Sequence, residues 1–188
     1  QNLMLVVCGS ATSWMVNKLL GDKGGLHNRV THSIYLAPFS LGETEAFLQE
    51  NRIVFNRHQI VECYMMLGGT PYYLNMLQPK LSLAQNINNL FFVENGELRR
   101  EFDFLFRSLF RDSKIYRKIV DQLSKKTKGM TRQEIIQECG ITDNGKLSEI
   151  LENLCNCDFI RRYSSFNKKQ REAIYQLTDL FSLFHLRY

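Results

Sequence analysis

Thr131-Arg132-Gln133-Glu134-Ile135-Ile136-Gln137-Glu138-Cys139-Gly140 decides the reading of the C-terminal half of this chain. Thr131 stands three residues before Glu134, the spacing at which a hydroxyl caps the first turn of a helix and a carboxylate reaches back to the cap amide. Ile135, Ile136 and Cys139 then repeat at helical spacing, and Gly140 stops the run because glycine accepts a left-handed backbone. The polar turn Ile141 to Gly145 follows, and Leu147, Ile150, Leu151 and Leu154 line another helix. Upstream, Ile115, Ile119, Val120 and Leu123 describe a helix that the polar stretch Lys125 to Gly129 interrupts. Downstream, Phe159 to Tyr163 and Ala173 to Leu177 read as two strands joined by a polar loop containing Asn167, Lys168, Lys169 and Gln170.

Three helices and a β-ribbon predict a winged helix-turn-helix over residues 113–188. Leu180, Phe181, Leu183, Phe184 and Leu186 add a terminal apolar segment, expected to pack on this domain or on whatever follows it. Residues 41–112 read as a helical lid domain. Ser40 precedes Glu43 at capping-box spacing. A helix from His58 to Leu67 is ended by Gly68-Gly69, Pro71 opens the next through about Leu77, and two more run from Leu83 to Phe92 and from Glu97 to Phe110. Residues 1–40 differ. Leu3 to Val7 is an unbroken aliphatic run, Ser10, Thr12 or Ser13 offers a helix cap, and Ser33 to Leu36 is a second short run. Strand, helix, strand in one direction implies a parallel sheet, and two strands are too few to be stable alone. The expected fold class is therefore mainly α, with a small α/β remnant of a parallel sheet, a helical lid and the winged helix.

The chain has 188 residues, 44% hydrophobic and 23% charged, with three prolines, a composition of folded rather than disordered chains. No stretch approaches the roughly 20 apolar residues of a spanning helix, so no membrane association is expected. Five cysteines at irregular spacing suit buried thiols in a reducing compartment, and the cytoplasm is the expected location. Cys155 and Cys157 lack a second pair, and His27, His32, His58 and His185 show no ligand spacing, so no metal is expected. The opening Gln1-Asn2 carries neither an initiator Met nor a signal-peptide n-region and reads as the start of a piece.

Leu5 to Ser10 with Trp14-Met15, then Arg29, then Tyr35 to Ser40 with Glu43 and Phe47, then Gly68 to Leu74, and finally Tyr175 to Asp179, resemble in order the archaeal-type predicted ATPases of the AAA+/STAND class. The resemblance spans essentially the whole chain. It implies that Leu3 to Ser10 is the sensor-1 strand of a P-loop core, with Ser10 beside the γ-phosphate, and that Arg29 stabilises transition-state charge or senses the nucleotide. It implies further that Gly69, Thr70 and Pro71 approach the adenine of ATP. No sensor-2 arginine is evident near the lid helices. Nowhere does a Gly-x-x-x-x-Gly-Lys-Ser/Thr loop occur, and no aliphatic strand ends in an acid that would hold magnesium. Gly21 to Gly25 is glycine-rich but lacks the Lys-Ser/Thr pair. ATP and Mg are thus expected in a parent protein that supplies the P-loop segment, and this chain alone is expected neither to bind them nor to hydrolyse ATP.

Two readings stand for Ser10, a nucleotide sensor or a helix cap. Arg29 reads either as a functional cation or as a surface arginine. For Gly68 to Pro71 a ligand contact and a helix end hold together. The winged helix offers Lys146, Arg161, Arg162, Lys168, Lys169 and Arg171 to nucleic acid, within a net charge of +5. Glu149 and Glu152 on its third helix oppose that use. A winged helix that docks a protein partner or acts as an autoinhibitory element is expected at least as much as one that binds DNA, and a plain protein-interaction scaffold is a third reading.

Overall fold

The computed structural model describes residues 4–6, 8–9, 31–32, 34–164 and 173–188. Among them the chain is mainly helical, with one small antiparallel sheet. Helix α1 (Leu41–Glu50) starts where Ser40 Oγ accepts the Glu43 amide at 3.3 Å and the Glu43 carboxylate accepts the Ser40 amide at 2.8 Å. Asn56 and Gln59 repeat the device at α2 (Arg57–Leu67), which Gly68 closes with φ +65°. The short α3 (Pro71–Leu74) places Pro71 in its first turn, where a missing amide hydrogen costs nothing. The helix expected through Leu77 ends at Leu74, followed by a bend toward Pro79. Helix α4 (Leu83–Ile87) runs into one π-turn (Asn88–Phe92), and a 3₁₀ turn (Glu97–Arg99) leads into α5 (Glu101–Leu109). Buried Asn86 holds the loop before α4: its Oδ1 accepts from the Gln78 amide at 2.7 Å, and its Nδ2 donates to the carbonyls of Gln78, Leu81 and Ser82.

The remainder runs helix, strand, helix, helix, strand, strand. These are α6 (Ser113–Lys125), β1 (Met130–Thr131), α7 (Arg132–Cys139), α8 (Gly145–Asn156), β2 (Ile160–Tyr163) and β3 (Ile174–Leu177). Thr131 and Glu134 form the capping box, and Gly140 ends α7 in the left-handed region with φ +55°. The sheet order is β1-β3-β2, with β3 antiparallel to both neighbours. Ile160 faces Leu177 and Arg161 faces Gln176, which fixes the register so that Ile160, Leu177 and Tyr175 enter the core. The two-residue β1 carries no periodicity a sequence pattern registers, and it is the one strand of the three not expected. The buried Asn153 amide donates to the Tyr116 hydroxyl at 2.9 Å and ties α8 to α6.

The terminal apolar segment is a helix, α9 (Leu180–Arg187), and it packs back on α2 and the aromatic side chains of the preceding helical region. Phe181 stacks on Tyr73 with ring centroids 4.6 Å apart, Phe184 meets Phe91 edge-on at 4.9 Å, and His185 stacks on Phe102 at 5.0 Å. Phe102 and Phe106 on one face of α5, with Phe110 just past its end, continue the contact to Phe159 and Tyr116. A single hydrophobic cluster therefore runs from Leu48 to Phe181, across the boundary expected at residue 112.

The parallel-sheet remnant expected at the N-terminus is not formed by the described residues. Met4, Leu5, Val6, Ile34, Tyr35 and Leu36 lie in no strand and are 63% to 86% exposed. Among the described residues, these runs have no strand neighbours to bond to and no helices over their faces, which a parallel strand needs. Leu3, Val7 and Ser33 lie outside the described residues, as do the expected cap and helix between Ser10 and Leu20. No helix of the described residues is long and apolar enough to cross a membrane.

Candidate functional site

Sequence-expected residues come together at two places. The first is the junction between the segment ending at Ser40 and the turn Gly68 to Pro71. The Phe39 amide donates to the Gly69 carbonyl at 2.7 Å, the Tyr64 hydroxyl donates to the Phe39 carbonyl at 3.0 Å, and the Phe39 ring leans on Phe47 at 5.6 Å. A Cβ on Gly69 would stand 1.9 Å from the Phe39 carbonyl oxygen, so only glycine admits this crossing. The glycine expected to open a path to an adenine thus has its open face filled by the chain's own backbone. Thr70 is the N-cap of α3 through its carbonyl, which accepts the Tyr73 and Leu74 amides at 3.1 Å, and its hydroxyl makes no cap bond. Pro71 is exposed beside it. Behind the turn lies Tyr73, whose hydroxyl donates to Glu101 at 3.3 Å and whose pKa burial pushes upward.

The second place is a groove of about 1090 Å³ between α8 and the strand β2. Arg161 and Arg162 line it, both exposed, and neither makes an ion pair among the described residues. Arg132 closes one part by gripping Asp143, with its Nε at 2.9 Å and a terminal nitrogen at 2.6 Å from the same oxygen, and by donating to the Asn144 carbonyl at 3.0 Å. Asp158, in the left-handed region at φ +58°, also lines the groove and accepts a hydrogen bond from the Tyr35 hydroxyl. Glu152 adds a third carboxylate. Lys146 lies elsewhere, paired with Asp112 at 2.9 Å, and that carboxylate raises its pKa. Of the residues expected to contact nucleic acid, Lys168, Lys169 and Arg171 lie outside the described residues, as do the nucleotide candidates Ser10 and Arg29.

The described cysteines are poorly placed for thiolate chemistry. Burial pushes the Cys63 thiol up to about 12 and raises Cys139 and Cys155 as well, which disfavours a reactive thiolate at each. No group of three or more His, Cys, Asp or Glu among the described residues is arranged to hold a metal ion. The half-buried Asp179 carboxylate accepts the Ser182 amide at 2.7 Å and caps α9, so desolvation, which raises its pKa, and capping explain it without a ligand. Sequence reasoning missed the Arg132–Asp143 grip and the Tyr35–Asp158 bond. The first joins residues 11 apart across a turn and the second residues 123 apart, and no periodicity reports either.

No family model and no solved structure matches the chain. A protein of Methanocaldococcus jannaschii, described as uncharacterized, is 27% identical over 186 residues, which is 98% of this chain. The chain spans 40% of the length of that relative.

Proposed function

We propose that this chain is the C-terminal part of a larger P-loop ATPase of the AAA+/STAND class, in which a helical lid and a winged helix respond to nucleotide bound upstream. The observation that carries the reading is the junction at Phe39. The segment Tyr35 to Ser40, which on this reading leaves the ATPase sheet, is fastened by two hydrogen bonds to the Gly68–Pro71 turn and to α2. A shift of the preceding core is then delivered directly to the helical region. The exposed apolar residues Met4, Leu5, Val6, Ile34, Tyr35 and Leu36 suit strands whose neighbours belong to another part of the protein. The alignment with 40% of a longer chain agrees with a part of a larger whole. The order helix, strand, helix, helix, strand, strand supports the winged-helix reading of residues 113–188.

The described residues do not themselves fit the nucleotide. They place no carboxylate cluster for magnesium, and Gly69 faces Phe39 rather than open space. On this reading phosphate and magnesium binding lie outside the described residues, which take no chemical step themselves. DNA binding by the winged helix is the second reading, favoured by Arg161 and Arg162, which form no ion pair among the described residues, and opposed by Glu149, Glu152 and Asp158. The test is to express the parent chain with its upstream segment and measure ATP binding and hydrolysis. Binding is expected, with Arg29→Ala lowering turnover by on the order of a hundredfold as loss of one transition-state charge contact does. A parent chain that binds no ATP overturns the reading.

A further inference from the structure

Among the described residues the sheet ends at β2. In the order β1-β3-β2, Ile160–Tyr163 bonds to β3 alone, and no other backbone hydrogen bond of the described residues involves these four. One row of backbone N–H and C=O groups is thus left unpaired among the described residues, the state that makes an edge strand a template for another strand. All four residues line the groove; α8 contributes a stripe at helical spacing, Ser148, Leu151, Glu152 and Cys155, and the remaining lining comes from Arg132, Gln133 and Asp143 around α7, from Asp158 and from Tyr175 of β3. Four residues of edge are about 13 Å long, enough for four residues of an extended segment.

Charge selects among occupants. Arg161 and Arg162 are consecutive on the strand, so their side chains lie on opposite faces: Arg161 opposite Gln176, Arg162 opposite Tyr175. Both lack an ion-pair partner among the described residues. A strand laid beside β2 meets both when it carries acidic side chains at two successive positions, one for each face. Nucleic acid suits the groove less well, because its closely spaced phosphates would also meet the carboxylates of Glu152 and Asp158. We infer that the groove between β2 and α8 docks an extended polypeptide segment of a partner protein, which adds a strand to β2 and sets an acidic doublet against Arg161 and Arg162. The inference stands apart from the ATPase reading, since neither the groove nor its charges depend on nucleotide.

The probe is a capped peptide of about eight residues, valine and threonine with a central Glu-Glu doublet, compared with its Lys-Lys counterpart and with a DNA duplex of about 20 base pairs. Binding to the 188-residue chain is followed by amide hydrogen exchange. The acidic peptide is expected to slow exchange within Ile160–Tyr163 and to bind at least about tenfold more tightly than the Lys-Lys peptide. The R161E/R162E double variant, altered at two exposed positions, is expected to reverse that preference while unfolding at an unchanged temperature. The inference is overturned by an acidic peptide that does not bind, by binding that leaves exchange in β2 unchanged, by an equal preference for the two peptides, or by a duplex that protects these amides when the peptides do not.

Discussion

Gly69 separates two roles that the same residue type serves. A glycine between a helix end and a proline reads equally as a place for a ligand to come close or as a place for the chain to come close to itself, and only the position of Phe39 decides between them. Adding one methyl at Gly69 drives it into the Phe39 backbone, and overpacking of this kind costs about 1–3 kcal/mol or more because backbone cannot rotate aside. Gly42 is the internal comparison. It lies in the first turn of α1 with nothing within 4 Å of an added Cβ, so Gly42→Ala is expected to stabilise by about 0.5–1 kcal/mol through the lower entropy of the unfolded chain. Denaturant midpoints of the two variants, measured side by side, check the pair. Equal stability of Gly69→Ala and Gly42→Ala would mean that the Phe39 crossing is not a tight contact.

Among the elements, those with local signals were legible and those made by tertiary packing were not. The boxes at Ser40–Glu43 and Thr131–Glu134, the stops at Gly68 and Gly140, and the apolar stripe of α8 are written within a few residues of each other, so the sequence carries them plainly. Strand β1 is too short to show alternation, and α9 is apolar on nearly every side, so its helical period is faint. The N-terminal runs have strand-like sequence, but a parallel strand is defined by its neighbours, and none are found for these runs among the described residues. Of the candidate site, Arg161 and Arg162 were visible as a charge doublet, whereas the free edge they stand on depends on the order of the strands. Helix α9 also carries a titratable contact. His185 lies half-buried on the Phe102 ring, and burial holds its pKa below the ordinary 6.5, against the pull of Asp103 and with the help of Arg117. Asp103 and Arg117 are themselves paired at 2.7 Å, which mutes both influences. Above pH 6.5 the imidazole is neutral in both states. As pH falls below 6.5 the unfolded chain takes up a proton that the folded state resists, so stability declines until the lower folded pKa is passed. The stability difference between the parent sequence and His185→Gln, followed by denaturation from pH 8 to 5, is expected to shrink toward acid; a constant difference across that range removes His185 as the cause.

At the scale of the molecule, α9 decides whether the helical region and the sheet-bearing region are independent. Its Phe181 is 1% exposed and stands between Tyr73 and Phe91 of the first region, while its chain leaves directly from β3 of the second. Phe106 on α5 touches Phe159 from the other side, so aromatic contacts cross the boundary at residue 112 in more than one place. Regions that share buried aromatic side chains lose the same apolar contacts when either opens, which couples their unfolding. Truncating Phe181 to alanine removes a large side chain from a site whose neighbours are rings on fixed helices, and a loss of about 3–5 kcal/mol is expected. The more telling consequence concerns cooperativity. If α9 is the shared element, Phe181→Ala lowers the protection of amides in α2 and in α8 together, and the chain unfolds in one transition by probes placed in either region. A variant that loosens α2 while α8 keeps its parent protection would mean that the sheet-bearing region stands on its own core and that α9 is not the element that couples the two.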